Sequence, residues 1–196
     1  MSSKHFSELG DSASRVLDAA EGLIQQQGYN GFSYDDVARL VGIKKPSIHH
    51  HFATKAELAA VVAQRYTHRF RSELLIIEGR HAKATDRLLA YAALFEQRYT
   101  QDRGLCVCGM LGAEAASLAE PVAAEVQLFF RSNLDWLAAV IKEGQQQGLL
   151  RSSVKPAALA EAWHSAMQGA MVLGRGLQSD RGPAQVAKSL LATLLA

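Results

Sequence analysis

Cysteine is scarce in this sequence, and the two that occur cannot build a disulfide framework. Cys106 and Cys108 are the only cysteines among 196 residues, and a bridge between positions so close would be strained. A protein with few cysteines and no disulfide framework is typical of a reducing compartment. The first residues, MSSKHFSELGDSASR, lack the apolar core of a signal peptide, and no apolar run approaches the roughly 18 residues of a membrane span. We therefore expect a soluble, cytoplasmic protein.

Proline and runs of β-branched residues are also scarce, which argues against a β-sheet protein. The chain has four prolines and is rich in Ala, Leu and Gln, which favour helices. Apolar residues recur at three- and four-residue steps, as on one face of an amphipathic helix. After a polar arm of residues 1–11, we predict an all-α fold of about nine helices, near 12–27, 33–41, 45–52, 54–78, 84–101, 106–117, 121–147, 156–176 and 183–195.

The chain has little net charge, so a nucleic-acid function would depend on where its charges lie. The formal net charge is +2. Between residues 37 and 56 there are four basic residues and no acidic one: Arg39, Lys44, Lys45 and Lys55. Lys and Arg contacts to phosphate supply most of the sequence-independent affinity for DNA. The window indicates a DNA-binding surface, and a solvated basic face is the alternative.

The same window has the layout of a helix-turn-helix. Ser33 and Asp36 form a capping-box pattern that opens a short helix, and Gly42 allows a tight turn after it. Pro46 suits the first turn of a second short helix. A Thr-x-x-Glu pattern from Thr54 then opens a long helix. Two short helices about a glycine turn are typical of a helix-turn-helix that binds DNA.

Three consecutive histidines lie on the second short helix, at positions 49–51. Successive helical residues point about 100° apart, so the three cannot converge on one metal ion. No nucleophile with an oriented base is recognisable nearby, which disfavours catalysis. We interpret His49 and His50 as facing DNA, and His51 with Phe52 as closing the core of a small domain.

The segment FSYDDVARLVGIKKPSIHHHFATKAELAAVV resembles the DNA-binding segment of TetR/AcrR-type transcriptional regulators. The likeness covers about residues 13–60, and the helical remainder fits the family only in layout. Departures occur at Lys44, Pro46 and His49, where serine, glycine and tyrosine are usual. Positions that agree in register with the family pattern are Ser33, Asp36, Val37, Ala38, Gly42, Ile43, Ile48, His51, Phe52, Lys55 and Leu58.

The resemblance implies a homodimeric repressor that binds a palindromic double-stranded DNA operator and leaves it when a small molecule binds. Residues 1–54 would form a three-helix DNA-binding domain, and residues 55–196 a helical domain for ligand binding and dimerisation. No cofactor, metal or membrane partner is implied. Together with the charge pattern, it gives as DNA-binding candidates Ser33, Lys44, Lys45, Ser47, His49, His50 and Lys55.

The last two helices carry apolar and small residues at helical spacing. Two such helices from each subunit could form a four-helix bundle about a two-fold axis, and an ordinary intrachain core is the alternative. The predicted dimer-interface residues are Leu159, Trp163, Ala166, Ala170, Leu173, Leu190 and Leu194.

An effector pocket is expected between the middle helices. Its candidates are Tyr91, Phe95, Glu114, Phe129, Asn133, Trp136 and His164. Cys106 and Cys108 lie near a predicted helix start, which suggests a thiol sensor of lowered pKa that reacts with electrophiles or oxidants. Two small buried apolar side chains are the alternative.

Two other functions stay open at this point. One is a helical enzyme that uses the N-terminal segment only for packing, although the sequence has no nucleophile–base motif, Gly-rich phosphate loop or convergent metal set. The other is a DNA-binding protein without a ligand, which a closed core in the helical body would favour.

Overall fold

The computed structural model describes residues 6–196, and this part of the chain is helical. Across it, no β-strand forms, and an isolated bridge joins Leu150 to Leu195. No helix in the described range is long and apolar enough to cross a membrane. The all-α prediction is confirmed, with nine α-helices in these residues: α1 Asp11–Gln27, α2 Tyr34–Val41, α3 Lys45–His51, α4 Lys55–Arg80, α5 Ala84–Asp102, α6 Val107–Ala113, α7 Glu120–Gln146, α8 Pro156–Gly176 and α9 Pro183–Leu194.

The helix boundaries depart from the predicted ones mainly at two places. The helix predicted for 106–117 ends at Ala113, and a separate 3-10 turn, Ala115–Ser117, follows it. Of the predicted polar arm, residues 1–5 lie outside the described residues. Phe6–Glu8 form a 3-10 helix, so the arm is shorter than predicted.

The chain divides into two compact units. The first contains the chain through Phe70 together with Cys106–Phe129, and the second contains Arg71–Leu105 with Phe130–Ala196. This division differs from the one predicted at residue 54, because the start of α4, all of α6 and the start of α7 group with the N-terminal helices. The functional boundary at residue 54 stays a prediction.

The core of the first unit holds the two short helices against α1. Val16, Ile24, Val37, Ile48 and Phe52 are completely buried, and such burial is the main stabilising term for a small helical unit. One polar contact adds to it: Arg15 on α1 donates from Nη2 to the Val41 carbonyl at 2.6 Å, at the end of α2.

In the second unit, α5 packs against α8 and α9. Large side chains fill its core, among them Tyr91, Leu137 and Trp163, each with no exposed surface. The Arg87 guanidinium pairs with the Glu143 carboxylate at 2.6 Å. That pair is partly exposed, and the buried polar side chains of this core are Asn133 and His164.

Candidate functional sites

The helix-turn-helix begins at Ser33, which caps α2. The Ser33 hydroxyl accepts from the Asp36 backbone N–H at 3.4 Å, and the Asp36 carboxylate accepts from the Ser33 backbone N–H at 2.8 Å. These contacts confirm the predicted capping box. Hydrogen bonds from Ser33 lower the pKa of Asp36. Ser33 is exposed and works as a helix cap, and its contact with DNA stays a prediction.

The turn between α2 and α3 depends on Gly42. Its φ of 75° and ψ of 34° lie in the left-handed region, which glycine adopts without a Cβ clash. Helix α3 follows, with Pro46 in its first turn. The structure thus confirms the predicted helix–turn–helix layout.

Helix α3 has one buried residue, one half-buried residue and five exposed ones. Ile48 is completely buried and anchors the helix to the core. Most of the DNA-binding candidates are exposed along this segment: Lys44, Lys45, Ser47, His49 and His50. The arrangement leaves these side chains accessible to a major groove, as direct base readout requires.

His49 is exposed but its ring is held in place. The ring meets Tyr34 edge to face at 4.7 Å between centroids, and Nδ1–H donates to the Ala53 carbonyl at 3.3 Å. Tyr34 in turn donates from its hydroxyl to the Phe52 carbonyl at 3.0 Å. Burial raises the pKa of Tyr34 well above its usual value, so the phenol stays a donor.

Phe52 and His51 follow the predicted inward direction to different extents. Phe52 is completely buried, as predicted. His51 is half-buried, and its Nε2 lies 3.1 Å from the Ser12 hydroxyl on α1. The ring of His51 therefore lies at the edge of the core.

Two acidic residues that precede the basic window form ion pairs with basic residues inside it. Lys45 pairs with Asp35 at 2.8 Å, with 45% and 63% of the two side chains exposed. Arg39 pairs with Asp36 at 3.2 Å. Exposed pairs of this kind contribute little to stability, so the carboxylates hold the two basic side chains only weakly.

Lys55 begins α4, as predicted, but its ammonium group points into the first unit. It donates to the Phe32 carbonyl and lies over the rings of Tyr29 and Phe32, at 4.7 and 4.3 Å from their centroids. Burial lowers the pKa of Lys55, and the charges of Glu114 and Asp36 oppose that shift. This environment was not predicted from the sequence, and a phosphate contact of Lys55 stays a prediction.

Five of the seven effector candidates lie in the second unit and form one polar and aromatic cluster. The Tyr91 hydroxyl is 2.9 Å from Asn133 Oδ1 and 2.7 Å from His164 Nδ1. Because the amide oxygen only accepts, Tyr91 donates to Asn133 and accepts from His164 Nδ1–H. The other ring nitrogen, Nε2, then accepts from Gln168 Nε2 at 3.3 Å. Burial lowers the pKa of His164 to about 4, so the imidazole is neutral at pH 7.

Aromatic rings surround this network. Tyr91 stacks on Trp136 at 5.6 Å, and Phe95 meets the His164 ring edge to face at 5.9 Å. Phe130, which was not among the predicted effector residues, does so at 5.5 Å. Among residues 6–196, the indole Nε1 of the buried Trp163 finds no hydrogen-bond partner, which is uncommon for a buried donor.

The other two effector candidates lie in the first unit, outside this cluster. Phe129 packs edge to face on Phe70 at 5.2 Å. The Glu114 carboxylate binds the backbone amides of Tyr29 and Asn30. Glu114 therefore contacts a loop of the DNA-binding helices, and its role in effector binding stays a prediction.

Both cysteines are buried in the first unit. Cys106 precedes α6 and accepts from the Tyr66 hydroxyl at 3.5 Å, and Cys108 has no exposed surface. Burial raises the pKa of Cys108 well above its usual value. The expectation of a lowered pKa is therefore wrong for Cys108, because burial outweighs any effect of the helix start.

The predicted dimer-interface residues divide between core and surface. Trp163 is completely buried, and Leu159 and Ala170 are buried as well, so their side chains belong to the core of the second unit and are withdrawn from the interface. Ala166, Leu190 and Leu194 are half-buried. Leu173 is 63% exposed. It belongs to an exposed, mostly small or apolar α8 face: Ala158, Ala162, Ser165, Gly169, Val172, Leu173, Gly176 and Leu177.

The fold and the exposed basic α3 define a helix-turn-helix DNA-binding protein. Residues 16–62 match the family model described as bacterial regulatory proteins, tetR family. Residues 84–190 match the model described as the C-terminal domain of tetracyclin repressor-like proteins. The chain belongs to the TetR family of transcriptional regulators.

Individual relatives agree with this assignment. The HTH-type transcriptional repressor DhaR of Mycobacterium sp. (strain GP1) is 26% identical over 160 residues, which cover 81% of this chain and 79% of that protein. A TetR-family regulator from Agrobacterium tumefaciens has a structure with a TM-score of 0.89 and 33% identity, covering 94% of this chain and 98% of that one. AibR was solved in complex with isovaleryl coenzyme A and operator DNA. Its structure has a TM-score of 0.73 and 21% identity, covering 94% of this chain and 98% of that one. The two chains therefore share a fold.

Proposed function

We propose that this regulator is a homodimeric repressor that binds a palindromic operator through α3 and is released by a small-molecule effector. The observation that carries the proposal is α3 itself. Ile48 anchors the helix, while Lys45, Ser47 and His49 are exposed. The names of relatives support it, since DhaR is a repressor and AibR binds both operator DNA and a coenzyme A thioester.

Replacing Lys45 or His49 by alanine should weaken binding to the preferred DNA and relax its sequence preference. A lost base contact costs about 1–3 kcal/mol. Bound duplexes would first be selected from random DNA by the wild-type chain. Fluorescence anisotropy at fixed salt would then compare each variant on the selected duplex and on a scrambled one.

A matched control is Lys142→Ala, which removes one exposed lysine from the second unit. This control measures the effect of losing one positive charge alone. The effect of losing a contact on α3 can then be separated from it. If Lys45→Ala and His49→Ala behave like Lys142→Ala on both duplexes, α3 is not the reading helix.

For the dimer, we place the partner on the exposed α8 face. The face contains small residues that allow another helix to approach closely, and Val172, Leu173 and Leu177 are 60%, 63% and 68% exposed. A palindrome is read by two recognition helices about one DNA turn apart, which requires two copies of the chain.

Val172→Glu together with Leu173→Glu should convert the dimer to a monomer. Burying an unpaired carboxylate in an apolar interface costs several kcal/mol, so we expect the dimer dissociation constant to rise at least about 100-fold. Sedimentation velocity over a concentration series measures this. Leu128→Glu, at a position 48% exposed on α7, is the control, and dimers of unchanged affinity in the double variant would refute the α8 interface.

For the effector, we place binding at the Tyr91–Asn133–His164 cluster. Its members are buried and hydrogen-bonded to one another, so a ligand enters only when these side chains move apart and the closed core opens. Its aromatic walls and neutral imidazole suit an uncharged, partly apolar group. Both cysteines are buried. This favours the interpretation that they are core side chains over the hypothesis that they form a thiol sensor. The test is a screen for compounds that release the selected duplex, followed by loss of that response in Asn133→Leu.

A further inference from the structure

Glu114 stands directly after α6, where the helix ends. Its φ of −106° and ψ of 21° place it outside the helix. One carboxylate oxygen, Oε2, accepts from the backbone N–H of Tyr29 at 2.6 Å and of Asn30 at 3.2 Å. Hydrogen bonds to an ionised carboxylate are about twice as strong as neutral ones. The end of α6 is therefore bound to the loop between α1 and α2 by charge-assisted bonds.

The loop is shaped to receive this carboxylate. Gly28 ends α1 with a φ of 80°, and a Cβ at this position would lie 2.7 Å from Glu114 Oε1. Glycine both permits the positive φ and leaves room for the oxygen. A neighbouring contact strengthens the attachment, since Asn30 donates from Nδ2 to the Ser117 hydroxyl at 2.9 Å.

The same loop also holds the start of α4. Its residues Tyr29 and Phe32 place their rings against the Lys55 ammonium, and the Phe32 carbonyl accepts from it. The negative charge of Glu114 favours the ammonium form of Lys55 in this half-buried place. Three residues separate Lys55 from His51, the last residue of α3. A loop that fixes Lys55 therefore also fixes the C-terminal end of α3.

We propose that Glu114 is a positioning residue for DNA binding. Its carboxylate fixes loop 28–32, the loop fixes Lys55, and the orientation of α3 depends on both. Glu114 acts through the loop and touches no DNA. This inference rests on the proposed contact of α3 with DNA and is independent of the proposed dimer and effector.

The sign of the effect separates this role from simple electrostatics. Removing an acid makes a DNA-binding chain more positive, and on charge alone this strengthens binding. A loop released from Glu114 should instead weaken binding, because α3 no longer keeps one orientation. The number of phosphate contacts does not change, so the salt dependence should keep its slope.

The test compares Glu114→Gln with Glu120→Gln, since Glu120 is an exposed acid at the first residue of α7 in the same unit. Both variants lose one negative charge. Using the duplex selected by the wild-type chain, we expect Glu114→Gln to bind about tenfold more weakly with an unchanged salt slope. Glu120→Gln should bind as tightly as wild type or slightly more tightly. Equal affinities for the two variants would overturn the proposal.

Amide hydrogen exchange tests the loop without DNA. In Glu114→Gln, the Tyr29 and Asn30 amides should exchange at least about tenfold faster, because their acceptor loses its charge. Unchanged exchange at both amides would overturn the proposal, whereas failure of the wild-type chain to select any duplex would instead remove the DNA-binding function itself.

If Glu114→Gln does not fold by circular dichroism, Ser117→Ala replaces it. A smaller loss of affinity in Ser117→Ala supports the proposal, and no loss overturns it.

Discussion

Replacing Phe52 by alanine is expected to abolish specific DNA binding by unfolding the helix-turn-helix. Phe52 directly follows α3 and is completely buried. Truncating a buried phenylalanine costs about 3–5 kcal/mol, a large part of the 5–15 kcal/mol that stabilises an ordinary domain. Urea denaturation followed by circular dichroism measures the stability loss, and anisotropy with the selected duplex measures the loss of binding.

The control for this substitution is Leu40→Ala. Leu40 lies on α2 and is 63% exposed, so its truncation should change stability by no more than about 0.5 kcal/mol. A Phe52→Ala variant that stays within about 1 kcal/mol of wild type would show that the core of the first unit does not depend on this ring.

Acidification from pH 6.5 to pH 4 is expected to destabilise the second unit through His164. Burial lowers the pKa of His164 to about 4 in the folded chain, whereas an unfolded histidine has a pKa near 6.5. Above pH 6.5 the imidazole is neutral in both states. As the pH falls below 6.5 the unfolded chain binds a proton that the folded chain does not, so the free energy of unfolding decreases. The loss reaches about 3 kcal/mol by pH 4 and then levels off.

His164→Asn tests this assignment. Asparagine keeps a donor near the Tyr91 hydroxyl but does not titrate, so the variant should be less stable at pH 7 and lose about 3 kcal/mol less than wild type between pH 6.5 and pH 4. His68→Asn, at an exposed position on α4, is the control for a histidine-to-asparagine change outside the second unit. Parallel stability profiles for wild type and His164→Asn would contradict the prediction.

Features with local causes could be predicted from the sequence. The capping box at Ser33 and Asp36 needs only residues three positions apart, and the left-handed turn at Gly42 needs only the missing Cβ. The burial of Phe52 follows from its place at the end of the second short helix, opposite the positions predicted to face DNA. These signals placed α2 and α3 correctly before any tertiary contact was known.

Features that depend on tertiary contacts could not be predicted. Helix α8 has apolar or small residues on more than one face, so its periodicity does not reveal which face meets α5 and α9. Of the predicted stripe, Leu159 and Trp163 lie on the core face, whereas Leu173 is exposed next to Val172. For Lys55, the deciding contacts come from Tyr29 and Phe32, more than 20 residues away in sequence.

Helix α3 is held in the first unit by few of its side chains, which leaves most of its positions open to substitution. Ile48 is its only buried residue and His51 its only half-buried one; the other positions are exposed. Exposed substitutions usually alter stability by no more than about 0.5 kcal/mol, yet each changes the donors and acceptors that α3 would offer to base edges under the proposed function. Gene duplication followed by drift at these positions could therefore give sister regulators with new operators, each step passing through a fully folded protein.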